Sequence, residues 1–272
     1  MKRIIIPFLI VVMICCLGVS FQFLKVEKKD PILKKFSTIS YFIPSYQKRY
    51  EAYRTLHPSM SLEEVVTKVN IGLDKEFYQS TKPTPYLNQT TILINKYYYV
   101  LENYVPDNLV LLDSSYSKSG IYLVKEAKEQ LEKMITAAAQ EGHVLRVISA
   151  YRSYSYQVKL YQNYVAQDGI AAADTYSARP GYSEHQSGLV VDIDNGKVPY
   201  TSFETTKEYT WMVDHAYQFG FILRYPKGTD AITGYQFEAW HYRYVGKELA
   251  LKIKNTHLTF DEYYARYLDS EL

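Results

Sequence analysis

Residues 183–194 read SEHQSGLVVDID, and the way this stretch folds decides the rest of the chain. His185 and Asp192 stand seven residues apart in a run whose apolar, β-branched second half reads as buried strand. Both side chains have the chemistry of a metal ligand. Drawn out as one strand they would lie ~23 Å apart, and on one helix ~10 Å apart, whereas two ligands of one zinc ion bring their donor atoms within about 3.5 Å. Only a chain that doubles back near Ser187-Gly188 unites them, and Gly188 is the residue that permits such a turn.

A second motif lies downstream, EAWH at 238–241. A lone histidine in an apolar stretch is more often a hydrogen-bonded core residue than a ligand. The constellation changes that balance. His185, Asp192 and His241 are three candidate ligands of the hardness that catalytic zinc takes, with one position left for water. Glu238, three residues before His241, is a candidate base for that water. Asp194 shares a strand face with Asp192 and is an alternative ligand by spacing. Both cysteines, Cys15 and Cys16, fall in the N-terminal apolar run, so any metal site beyond it must use His, Asp or Glu. Such a donor set favours catalytic over structural zinc.

The 272-residue chain is 47% hydrophobic and 22% charged, ordinary for a globular protein of one or two domains. Residues 4–24 carry no charge and as a helix would span ~31 Å against a hydrocarbon core of ~30 Å. A transmembrane anchor is expected there, with residues 1–3 held in the cytoplasm by Lys2 and Arg3 and the rest exported across the membrane. A cleaved signal peptide, with Gly18 and Ser20 as its small residues, is the rival reading and would give a secreted protein. Ile14 before Cys15 argues against lipidation. The 31 basic residues less Lys2 and Arg3 leave 29 against 29 acidic ones, so the exported part is formally neutral and no nucleic-acid partner is expected.

Residues 25–57 show no clear period and read as a spacer; Ser61 and Glu64 then make a capping-box pattern for a helix at 61–70. A boundary is expected in the turn-rich TKPTPYLNQT at 81–90, which makes 25–84 an extracytoplasmic spacer with a short helix. Beyond it, NLVLLD (108–113) and VLRVISAYR (144–152) read as strands. Between them, Val124, Ala127, Leu131, Met134, Ile135 and Ala138 share one face of a helix over 124–140. Further helices are expected at 155–166, 207–219 and 246–254, the second ended by Gly220. Helices and strands mix without a βαβ rhythm, so the class is α+β. The 29 tyrosines read mainly as amphipathic packing.

SAYRSYSYQ at 149–157, ARPGYSEHQSGLVVDID at 178–194 and GYQFEAWHYRYVG at 234–246 resemble the three signature blocks of the VanY-type zinc D-alanyl-D-alanine carboxypeptidases. With NKYYYVLENYVPDNLVLL at 95–112, the resemblance spans about 85–250. It implies a hedgehog/DD-peptidase-like zinc domain over 85–272, a central antiparallel sheet flanked by helices. It also implies His185, Asp192 and His241 as zinc ligands, Asp192 being favoured over Asp194, and Glu238 as general base. Arg152 is implied to polarise the scissile carbonyl and hold the developing oxyanion, while Ser183 and Gln157 are implied to bind the terminal D-Ala. Trp240 can wall the pocket or serve the core, and Arg179 can contact substrate or form a surface ion pair. His57, His143, His215 and His257 match no block. The family usually has Pro where this chain has Ala239, which leaves open what bends the chain between Glu238 and His241.

The implied activity is removal of the C-terminal D-Ala from peptidoglycan stem peptides by metal-activated water, by a membrane-anchored monomer. Three alternatives stand beside it. One is an L,D-carboxypeptidase acting on tetrapeptide stems. A peptidoglycan endopeptidase is disfavoured by the expected anchor. A non-catalytic wall-binding zinc module would need neither Glu238 nor Arg152.

Overall fold

The structure, a computed structural model, describes residues 35–117 and 120–269. The expected anchor at 4–24 lies outside them. Among the described residues no helix is long and apolar enough to cross a membrane.

Residues 35–80, expected as a spacer carrying one helix, hold two. Helix α1 spans Gln47–Leu56 and helix α2 spans Leu62–Ile71. The second begins as expected, with Ser61 and Glu64 closing a reciprocal capping box. The first was illegible because Tyr50 is its one buried residue, and QKRYEAYRTL, with four charged residues and two tyrosines, shows no aliphatic period. Phe36, Tyr41, Tyr50, Val65, Val66 and Val69 make a small core between the helices. That unit is tied to the C-terminal segment, where Asn70 Nδ2 donates to Ala265 O at 3.3 Å and Arg266 Nε donates to Thr67 Oγ1 at 2.9 Å.

A short parallel pair follows, β1 (Lys82–Pro83) with β2 (Tyr98–Tyr99), then an antiparallel pair, β3 (Leu109–Leu111) with β4 (Tyr122–Val124). Helix α3 spans Lys125–Gln140 and buries Ala127, Leu131, Met134, Ile135 and Ala138, five of the six positions that the helical period selects. Strand β5 (Arg146–Ser149), helix α4 (Tyr154–Asp168), strand β6 (Val190–Asp194), helix α5 (Lys207–His215), strands β7 (Phe221–Leu223) and β8 (His241–Tyr244), and helix α6 (Lys247–Thr256) complete the framework.

The central sheet runs β5-β6-β8-β7, and every neighbouring pair is antiparallel. Alternation along its middle strands separates two environments. Val191 and Ile193 of β6 and Tyr242 and Tyr244 of β8 join the α3 side chains in the main core. Asp192 and His241 therefore point to the other face, and the register sets them directly opposite one another.

Candidate active site

Three local structures bring the ligand candidates together. Asp192 and His241 are ladder partners on β6 and β8. His185 comes from a 3-10 turn, Glu184–Ser187, that ends at Gly188 with φ 67°. This is the reversal that the spacing required. A side chain at Gly188 would be strained by that φ, and its Cβ would lie 2.7 Å from Leu109 Cδ2. The seven-residue interval is thus spent on ligand, left-handed turn, and strand.

His185 Nδ1 lies 2.6 Å from Ala150 O, which can only accept, so Nδ1 carries the proton and Nε2 presents its lone pair. Burial and the Arg152 charge push this imidazole down to about 4, which keeps it neutral as a ligand must be. His185 Nε2 lies 3.4 Å from Asp192 Oδ2, and His241 Nδ1 lies 3.4 Å from Asp192 Oδ1. A tetrahedral zinc with bonds near 2.05 Å has donor-to-donor edges of ~3.3 Å; each contact is close to such an edge, and the two run to different oxygens of Asp192. The three donor atoms lie within 4.8 Å of one another. Buried Asp192 Oδ1 has no hydrogen-bond partner among the described residues, as suits an oxygen reserved for a cation. Burial opposes a charge on His241, yet its contacts with Asp192, Glu184 and Glu238 push the imidazole well above its usual range. The pocket draws a cation, and a metal ion answers the same demand.

Glu238 precedes β8 in a tight turn, with His241 N donating to Glu238 O at 3.2 Å and Glu238 N to Tyr225 O at 3.2 Å. The turn provides the bend between base and ligand without proline, and Ala239 is buried inside it. Glu238 Oε2 sits 3.3 Å from His241 Nδ1, beside the ligand group. Burial pushes its carboxyl up from the ordinary range, toward the neutral pH where a general base works best.

Arg152 stands between β5 and α4. Its Nη2 donates to Asp192 Oδ2 at 2.5 Å and its Nε to Ser149 Oγ at 2.9 Å, and the guanidinium keeps further donors for a carbonyl oxygen. Gln157, in the first turn of α4, donates to Ala178 O at 2.8 Å, while its buried Oε1 has no hydrogen-bond partner among the described residues. Ser183 and Trp240 line the same cleft, and Trp240 meets Tyr200 edge-on at 4.8 Å between ring centroids. The cleft encloses about 450 Å³, room for the end of a peptide. All eight residues singled out as ligands, catalytic groups or substrate contacts border it.

Two other candidates resolve differently. Asp194 stays outside the ligand group: its Oδ1 accepts from Gly196 N at 2.9 Å and Arg146 lies 4.0 Å away. Arg179 forms a two-point ion pair with Asp174, at 3.1 and 2.8 Å, in a neighbouring hollow.

Sequence reasoning missed Glu184, Arg224 and Arg243, which are wholly buried behind His241. Glu184 Oε1 accepts from Arg224 Nε and Arg243 Nη1, each at 2.9 Å. Burial alone would raise this carboxyl, but the two guanidinium groups hold it at about 2. The available signal was an arginine inside each of the apolar segments FILRYP and HYRYVG, since a buried arginine demands a buried carboxylate.

Two histidines, one aspartate and an adjacent glutamate gathered in a cleft beside an antiparallel sheet define a zinc peptidase site. Residues 120–247 match the VanY D-alanyl-D-alanine carboxypeptidase family. The Zn(II) complex of a vancomycin-resistance D,D-pentapeptidase VanY variant is 36% identical with a TM-score of 0.56, covering 64% of this chain and 98% of that one. The chain belongs to the VanY family. Putative carboxypeptidase YodJ of Bacillus subtilis (strain 168) is 42% identical over 181 residues, 64% of this chain; the match spans 66% of that relative's length. The LdcB LD-carboxypeptidase structure is 41% identical with a TM-score of 0.60, covering 64% of this chain and 85% of that one.

Proposed function

We propose that this protein is a zinc-dependent D-alanyl-D-alanine carboxypeptidase that removes the C-terminal D-Ala of peptidoglycan stem peptides. The observation that carries the reading is the convergence of His185, Asp192 and His241 within 4.8 Å, with Glu238 3.3 Å from His241, in one cleft. When bound, zinc supplies a Lewis acid that polarises the scissile carbonyl and lowers the pKa of water. The chain's own groups do the rest. Glu238 takes the proton of the attacking water and returns it to the leaving amine of D-Ala. Arg152 donates to the carbonyl oxygen as negative charge develops on it. Ser183 and Gln157 bind the terminal D-Ala, and Trp240 helps to wall the cleft.

Cleavage of tetrapeptide stems is a second reading, favoured by the likeness to LdcB, an LD-carboxypeptidase. Both reactions release D-Ala and differ in the residue before it. The reading also places the domain outside the bacterial cell membrane, held by residues 4–24. Incubating the purified protein with defined penta- and tetrapeptides and weighing the products separates the readings. Loss of one D-Ala from the pentapeptide alone supports the first, loss from the tetrapeptide alone supports the second, and an internal cut or no product sinks both.

A further inference from the structure

We infer that Asp261, acting through Arg224 and Glu184, is a positioning residue for the zinc-binding nitrogen of His241. The inference rests on the zinc reading of the site.

His241 turns Nδ1 toward Asp192 and Glu238; with zinc on Nδ1, Nε2 would carry the proton. Nε2 faces Glu184 Oε2 at 3.7 Å, an ion-pair rather than hydrogen-bond distance. Neither atom has a hydrogen-bond partner among the described residues, so this carboxylate oxygen is the group that can orient the ring. What orients the carboxylate lies one layer further out. Arg243 is anchored on backbone, donating through Nη2 to Thr90 O at 2.8 Å and to Ile92 O at 2.7 Å. Arg224 is anchored on Asp261, whose Oδ2 accepts from Arg224 Nη1 at 2.6 Å; Asp261 Oδ1 accepts from Asn95 Nδ2 at 2.7 Å.

Glu184, Arg224, Arg243, Asp261 and Asn95 are all buried, with exposures of 3% or less. The charges balance as two guanidinium groups against two carboxylates. Without the charge of Asp261, Glu184 alone would face both guanidinium groups, which would draw its carboxylate away from His241. Asn95 and Asp261 both lie outside the 120–247 stretch that matches the family. Asp261 is presented by the turn Phe260–Tyr263, which starts with its own capping box between Thr259 and Glu262. Segments on both sides of the family-matching stretch therefore converge behind His241.

The test is zinc affinity of the full chain, measured by competition with a chromophoric chelator, and the visible spectrum of the cobalt(II)-loaded protein. Asp261→Asn should weaken zinc binding by about 10-fold and shift the cobalt spectrum. Glu184→Gln should weaken it by about 10 to 100-fold, and the double variant should be no worse than Glu184→Gln alone. Arg266→Ala loosens the same C-terminal segment at Thr67 and should leave both readouts unchanged. Folded Asp261→Asn with wild-type affinity and spectrum overturns the inference, as do losses that multiply in the double variant or an equal loss in Arg266→Ala. If Asp261→Asn does not fold, Asn95→Ala loosens the same aspartate while leaving its charge on Arg224. A several-fold loss supports the inference there, and no loss overturns it. A wild-type chain without zinc affinity overturns the zinc reading, and this inference with it.

Discussion

Strands β6 and β8 present Val191, Ile193, Tyr242 and Tyr244 on one face and Asp192, His241 and Arg243 on the other. Both sets are buried, but they do opposite things. Each aliphatic side chain on the core face contributes about 1.5 to 3 kcal/mol by leaving water. On the cleft face burial costs several kcal/mol per ion, offset only where charges are paired and hydrogen-bonded. The pairing is visible: Arg152 on Asp192, and Arg224 and Arg243 on Glu184. One face stabilises the sheet so that the other can hold groups which, left alone, would disrupt it.

Substitutions on the cleft face should therefore cost turnover, and those on the core face stability. The largest effect is expected for Glu238→Gln, which should keep fold and zinc but lose turnover by roughly 10² to 10⁴, the range for a general base. Near-normal hydrolysis of a D-Ala-terminated peptide would remove Glu238 from that role.

Arg152→Ala should lower turnover per folded molecule by roughly 10² to 10³, about the effect of losing one oxyanion donor. Arg152→Lys should rescue little, because an ammonium cannot both hold Asp192 and reach a carbonyl as the planar fork can. A destabilised variant with normal specific turnover would make Arg152 merely the partner of Asp192.

On the core face, Ile193→Ala should cost about 2 to 5 kcal/mol by denaturant unfolding, with turnover per folded molecule unchanged. A large loss of specific turnover there would mean that the two faces are not separable.

The smallest effect is pH-dependent. Glu184 sits at about 2 when folded against an ordinary 4.5, so the stability it contributes is complete above about pH 4.5 and is lost as pH falls toward 2. In zinc-free protein, Glu184→Gln should be less stable at neutral pH and show a shallower acid limb. An acid limb as steep as the wild type's would place the titration elsewhere.

Much of this division was legible in the sequence. The alternation in LVVDID separates Val191 and Ile193 from Asp192, and Gly188 marks the reversal that returns His185 to it. Local chemistry sufficed for the capping box at Ser61 and the buried stripe of α3. What stayed hidden depends on distant partners. Nothing near Glu184 in the chain announces Arg224, and Asn95 meets Asp261 across 166 residues. Helix α1 was hidden for a different reason, since its packing rests on tyrosine rather than on an aliphatic period.

The most direct test of the account is metal content per folded chain, by elemental analysis of the wild type and of His241→Ala. The account predicts about one zinc per wild-type chain and essentially none in the variant, both folded by circular dichroism. A folded variant with undiminished zinc would contradict the assignment of His185, Asp192 and His241 as one metal site.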